Sequence, residues 1–127
     1  MNKKNNASTR AAEFLKLWQE EMTRQMHDPD MIRAMLSESL QAVISQTLCK
    51  TKDGSGRVAA HEIMLGTAAI RNLIRENKIA QMYSAIQTGN NIGMTTLDQN
   101  LADLVRRNVV SPAEARMKAK FPENFPG

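Results

Sequence analysis

The side chains able to do chemistry are few and scattered. One glycine-rich loop, Gly54-Ser55-Gly56-Arg57, invites a phosphate-binding reading. A P-loop cradle needs GxxxxGK[ST], so that backbone N–H groups wrap the phosphates and a lysine reaches the terminal ones. That pattern occurs nowhere in the 127 residues, and a hairpin turn accounts for the loop. The two histidines are His27 and His61. Metal sites want several His, Cys or carboxylate ligands at close spacing, and the single cysteine, Cys49, has no partner cysteine. Adjacent His61 and Glu62 would face opposite sides of a strand, while His27 falls at an expected helix C-terminus, where positive charge is favourable. Nothing in the sequence singles out a nucleophile–base pair of Cys49, Ser45 or Ser55 with His61. No catalytic, cofactor-binding or metal-binding residue is assigned.

Arg71, Arg75 and Lys78 form a more informative pattern, at steps of four and three. At about 100° per residue they lie on a helix face away from Ile70, Leu73 and Ile74. That predicts outward cations and inward aliphatics. Two readings stand: a solvated face supported locally by Glu76, or a docking face for an acidic partner surface. Arg106, Arg107, Arg116, Lys118 and Lys120 make the C-terminal region locally basic. No nucleic-acid motif or stacking-aromatic platform accompanies them, so nucleic acid is not the expected partner.

Composition sets the frame that must position these residues. One domain of this length buries a modest core. Hydrophobic residues make up 42% of the chain and charged residues 24%, which excludes wholesale disorder. No apolar run approaches a membrane span, and the polar start is not expected to be a signal peptide. One cysteine fits a reducing cytoplasm. Net charge is +4, but 17 basic and 13 acidic residues are intermixed as on an ordinary solvated surface. Nine methionines and 4% aromatic residues favour an irregular helical core over a large sheet.

The expected fold is mainly α, with five or six short helices and one small β-hairpin. Residues 1–10 read as a frayed basic terminus. From Ala11, the positions Phe14, Leu17, Trp18, Met22 and Met26 predict an amphipathic helix ending at His27-Asp28-Pro29. Its face is expected to pack on the second helix or on the same face of another copy. The second helix is expected from Pro29 to Leu48, with Asp28 as cap. Short strands Cys49–Thr51 and Val58–Leu65 would flank the turn. Thr67 caps a helix ending near Asn77, and Ile79 to Ile86 form another, stopped by Gly89 in the left-handed conformation. Thr96-Leu97-Asp98-Gln99 and Ser111-Pro112-Ala113-Glu114 are capping-box patterns. The tail from Phe121 to Gly127 is broken by prolines and should form no regular element.

From about Met31 onward the chain resembles a known family. Residues 36–46, LSESLQAVISQ, resemble the helix that follows the ATPase core in type IV pilus retraction ATPases, the twitching-motility proteins of the secretion ATPase superfamily. Residues 56–64, GRVAAHEIM, resemble the family's next strand. Ala69, Ile70, Arg71, Asn72, Leu73, Ile74, Arg75 and Glu76 reproduce its AIRNLIRE motif in full, and Gln87-Thr88-Gly89 and Gly93-Met94-x-Thr96-Leu97-Asp98-Gln99 continue the pattern. Ala68 stands where the family usually has proline, and Thr95 where it has glutamine.

The resemblance implies a C-terminal portion only, residues 31–127, preceded by an unmatched terminus and helix over 1–30. The family's members are hexameric motors using ATP and Mg, but their Walker A and Walker B segments precede the region of resemblance. It therefore implies no nucleotide site or cofactor here, and no hydrolysis. It does carry over Ala69–Glu76, tied in the family to retraction rather than to ATP binding. The implied partners are full-length retraction ATPase, other pilus machinery at the inner face of the cell membrane, or another copy. The alternative is an independent helical binding module for an acidic or nucleic-acid partner.

Overall fold

A computed structural model describes residues 9–125. Its element order is α1 (Arg10–Met26), α2 (Pro29–Ser39), β1 (Ala42–Lys50), β2 (Arg57–Leu65), α3 (Ala68–Arg75), α4 (Met82–Gln87), α5 (Leu97–Arg106) and α6 (Pro112–Lys118), with short 3-10 turns between and after the later helices. The mainly helical architecture with one two-stranded antiparallel sheet agrees with the sequence expectation. The expected frayed terminus over residues 1–10 lies largely outside the described residues.

The second helix is much shorter than expected. It ends at Ser39, and Ala42–Lys50 is a nine-residue strand. Val43, Ile44, Thr47 and Leu48 suit a helical stripe by spacing, yet three of them are β-branched and fit a pleated surface better. The strands pair from Ala42 opposite Leu65 to Lys50 opposite Arg57. Val43, Ser45, Thr47 and Cys49 lie on the inner face with Met64, Glu62, Ala60 and Val58, while Ile44, Gln46 and Leu48 lie on the outer face.

Two apolar clusters carry the fold. One joins α1, α2, the open end of the hairpin, α3 and α4 through Leu15, Leu36, Met64, Ile70, Ile74, Met82 and Ile86. The other joins the turn end of the hairpin to α5, α6 and the tail through Cys49, Ala60, Leu101, Leu104, Val110 and Phe125. The tail is more ordered than its prolines suggest. Pro122–Asn124 is a 3-10 turn, Phe121 and Phe125 are buried, and Phe121 meets Tyr83 edge-to-face at 5.5 Å.

The face by which α1 docks is not the one formed by its largest residues. Ala11, Ala12, Leu15 and Gln19 are buried, whereas Phe14 is 55% and Leu17 66% exposed; Trp18 packs against the core from its margin. Two adjacent alanines let the helix backbone approach the core closely, and this decides the rotation of the helix. The stop after α4 also differs from expectation. Gly89 has φ −92°, and the left-handed residue is Gly93 at φ 98°. Gly89 instead lies against Met94, whose Cε would be 2.6 Å from an added Cβ.

Candidate interaction site

Helix α3 is fixed at both ends by its own sequence. Thr67 Oγ1 accepts from the Ile70 N–H at 3.3 Å. At the other end Asn77 adopts φ 59°, the Lys78 N–H donates to Leu73 O at 2.7 Å, and the Asn77 N–H donates to Ile74 O at 3.1 Å, a Schellman arrangement. Ile70 and Ile74 are fully buried and Leu73 half-buried, as their spacing predicts.

Arg71 does not join the outward set. It is half-buried, and its guanidinium donates to three carbonyls: Gly66 O at 2.8 Å, Leu40 O at 3.1 Å and Glu38 O at 3.2 Å. These lie at the C-terminal end of α2 and at the β2–α3 junction, where a cation also complements the helix dipole. Gly66 makes this crossing passable. A Cβ there would sit 2.2 Å from Leu40 O, and the Gly66 N–H donates to Gln41 O at 2.8 Å. Arg71 is thus a tie between two chain crossings. Its planar fork of donors suits three convergent carbonyls, which a lysine ammonium would match less well.

The remaining members of the segment form a solvent face. Ala69, Asn72, Arg75 and Glu76 are exposed, with Lys78 beside them. Arg75 donates to Asn72 Oδ1 at 2.8 Å, and Lys78 Nζ lies 3.2 Å from Glu76 Oε2. This face is a small mixed-charge surface on a rigid helix.

The other sequence candidates are kept apart. Cys49 and Ser45 lie on the inner face of the sheet and His61 on the outer. Ser55 Oγ donates to Asp53 Oδ1 at 2.7 Å in the turn. Burial pushes the Cys49 thiol pKa up, and neighbouring Glu114 adds to the shift. No nucleophile–base pair is assembled from these residues. His27 ends α1 in the left-handed conformation, at the expected helix C-terminus. Among the described residues, no group of three or more His, Cys, Asp and Glu is placed to hold a metal ion. The cations of the C-terminal region are largely engaged. Arg106 and Arg107 pair with Asp103, Arg116 Nε donates to Phe125 O at 2.8 Å, and Lys120 Nζ reaches Glu13 at 3.3 Å.

Two carboxylates to which the sequence assigns no such role organise the interior. Glu62 is only 3% exposed, and it accepts from the Ala11 N–H at 3.0 Å and the Leu97 N–H at 3.4 Å. One buried carboxylate thus meets the first turns of both α1 and α5. Asp98 accepts from the Lys120 and Phe121 N–H groups at 2.7 and 2.9 Å, pinning the tail. Both line a cavity of about 310 Å³ with Tyr83, whose pKa is raised by burial and by these two carboxylates. The signal for Glu62 was its parity: it shares a strand face with Ala60 and Met64.

No family model matches the chain. It is 70% identical over 95 residues to the type IV pilus retraction ATPase PilT of Pseudomonas aeruginosa, covering 75% of this chain and 27% of that protein. It is 56% identical over 98 residues to a twitching motility protein of Neisseria gonorrhoeae, covering 77% of this chain and 26% of that one. A crystal structure of the pilus retraction motor PilT with bound ADP superposes with a TM-score of 0.66 at 35% identity, over 78% of this chain and 27% of that one. The Legionella pneumophila ATPase DotB, at 16% identity and a TM-score of 0.64, shares the fold. The chain spans about a quarter of the length of these relatives. Over that span it belongs to the type IV pilus retraction ATPase family, as a partial segment of it.

Proposed function

We propose that this chain is a truncated C-terminal portion of a type IV pilus retraction ATPase that acts by protein–protein contact and has no nucleotide site of its own. The observation that carries the reading is the division of labour within Ala69–Glu76. Ile70, Ile74 and Arg71 fasten the helix, and Ala69, Asn72, Arg75 and Glu76 are presented to solvent on it. A rigid helix displaying a polar face suits recognition more than chemistry. The absence of GxxxxGK[ST] from the sequence supports the lack of a nucleotide site, because phosphoryl transfer depends on positioned phosphates and Mg²⁺. Full-length retraction ATPase is the proposed partner, met in the cytoplasm at the pilus machinery.

Expression in a twitching host that carries the full-length motor tests this. The chain should impair twitching, and the double variant Asn72→Ala, Arg75→Ala should lose that effect while keeping its helical circular dichroism. No impairment at high expression, or equal impairment by the double variant, would refute the reading. Calorimetry with ATP and Mg²⁺ should show no binding; a saturable isotherm would overturn the second half of it.

A further inference from the structure

The outer edge of β1 is unpaired among the described residues. In β2 the odd-numbered residues turn their backbone groups away from β1. The Ile63 N–H donates to Thr95 O at 2.9 Å, Ile63 O accepts from the Thr95 N–H at 3.1 Å, and the His61 N–H donates to Asn100 Oδ1 at 2.8 Å. In β1 the even-numbered residues correspondingly face away from β2, as the Lys50 N–H shows by donating to Glu114 Oε2 at 2.8 Å. Ala42, Ile44, Gln46 and Leu48 therefore direct their N–H and C=O groups along the free edge, and among the described residues none of these groups has a partner. Folded proteins usually blunt such an edge with charge, proline or a bulge. This edge has none of these between Ala42 and Leu48, and Ile44 is 64% and Leu48 50% exposed. Phe14 of α1 extends the apolar surface, lining a hollow with Arg10 and residues 42–45.

We infer that the occupant is a second copy of this chain, paired β1 to β1 in antiparallel register about Gln46. The edge is matched in character about Gln46, with an aliphatic residue two positions to either side. Gln46 meets Gln46 of the second copy, Ile44 meets Leu48 on either side, and Lys50 falls opposite Ala42 rather than opposite another cation. Every outward-facing residue meets an outward-facing residue, so the central pairs exchange two N–H···O bonds each. Such a two-fold contact is self-complementary and closes, giving a four-stranded sheet without open-ended assembly. The aliphatic side chains of Ile44 and Leu48 come together on one face as cross-strand pairs. This inference is independent of any role at a pilus.

The purified full chain should show a concentration-dependent monomer–dimer equilibrium by light scattering. Gln46→Pro removes an outward N–H and leaves the β1–β2 ladder intact, and Ile44→Lys places a charge in the apolar pair; both should be monomeric with unchanged circular dichroism. In a Cys49→Ala background, Gln46→Cys should oxidise to a linked dimer, because directly opposed Cα atoms of such a pair stand about 5.5 Å apart, within disulfide reach. Ile44→Cys alone should not link, whereas Ile44→Cys with Leu48→Cys should. A wild-type chain monomeric at all concentrations, a dimer surviving both edge variants, or Ile44→Cys linking as readily as Gln46→Cys would overturn the proposal. A monomer that captures an extended strand of another protein would overturn it equally.

Discussion

Helices α1 and α3 each show an apolar stripe in sequence, and only α3 buries it. In α3 the largest aliphatics, Ile70 and Ile74, are fully enclosed. In α1 the enclosed residues are Ala11, Ala12, Leu15 and Gln19, and Phe14 and Leu17 remain in solvent. The difference lies in what each helix packs against. α3 lies on side chains of α2 and α4, which accept bulky residues. α1 has its first turn fixed by a hydrogen bond to Glu62, and this close backbone approach admits alanines more readily than phenylalanine. Backbone anchoring can override the orientation that the largest apolar residues would choose.

Substitutions at matched positions sharpen this contrast. The largest effect is expected from Ile74→Ala, which should lower unfolding free energy by roughly 2–5 kcal/mol in denaturant titrations. Leu17→Ala should change it by less than about 0.5 kcal/mol, as an exposed position. Equal losses at both would mean that the α1 stripe is buried after all. Next, Ala12→Leu should cost about 1–3 kcal/mol by overpacking the contact that sets the rotation of α1. A neutral result would show that α1 docks loosely.

Within α3 the two arginines should separate in the same manner. Arg71→Ala leaves carbonyls of Gly66, Leu40 and Glu38 without their donor, at a cost of about 1–3 kcal/mol. Arg75→Ala should stay within about 0.5 kcal/mol. Comparable losses would remove the distinction between tie and display face. The smallest effect belongs to the turn. Asp53 accepts from the N–H and hydroxyl of Ser55 and from the Thr51 hydroxyl, which lowers its pKa from 3.8 to about 2. Its contribution to stability is therefore complete above the ordinary value and disappears as pH falls through the lower one. The Ser55 amide resonance should titrate with a midpoint near that lower value; a midpoint at the ordinary carboxylate value would show that the turn is open.

Much of this fold could be read from the sequence through its caps. Thr67, Thr96, Gln99 and Ser111 make the hydrogen bonds their spacing implies, because capping is local chemistry. At Ser111 the reciprocal half fails: Glu114 serves the Lys50 N–H of β1 instead. Residues 42–48 look helical in sequence because Val43, Ile44, Thr47 and Leu48 satisfy a helical spacing, while Ser45 and Thr47 hide a two-residue alternation behind hydroxyls. The display face of α3 was partly legible, since periodicity separates inward aliphatics from outward cations. It could not reveal that Arg71 turns back to carbonyls from distant parts of the chain. Glu62 was hidden for the same reason, since its partners stand 51 and 35 residues away.

Glu62 also bears on the timing of opening. The N-terminal helix starts on a carboxylate from β2, and the same carboxylate starts α5. When the first turn of α1 lifts, an oxygen of a buried acid is left unmet, and the tether on α5 is strained at once. The Ala11 and Leu97 amides should therefore exchange with solvent deuterium through a shared opening, more slowly than the exposed end of α1 near Met26. A boundary drawn after α1 would cut through this contact, and the lifetime of the folded state runs straight across it.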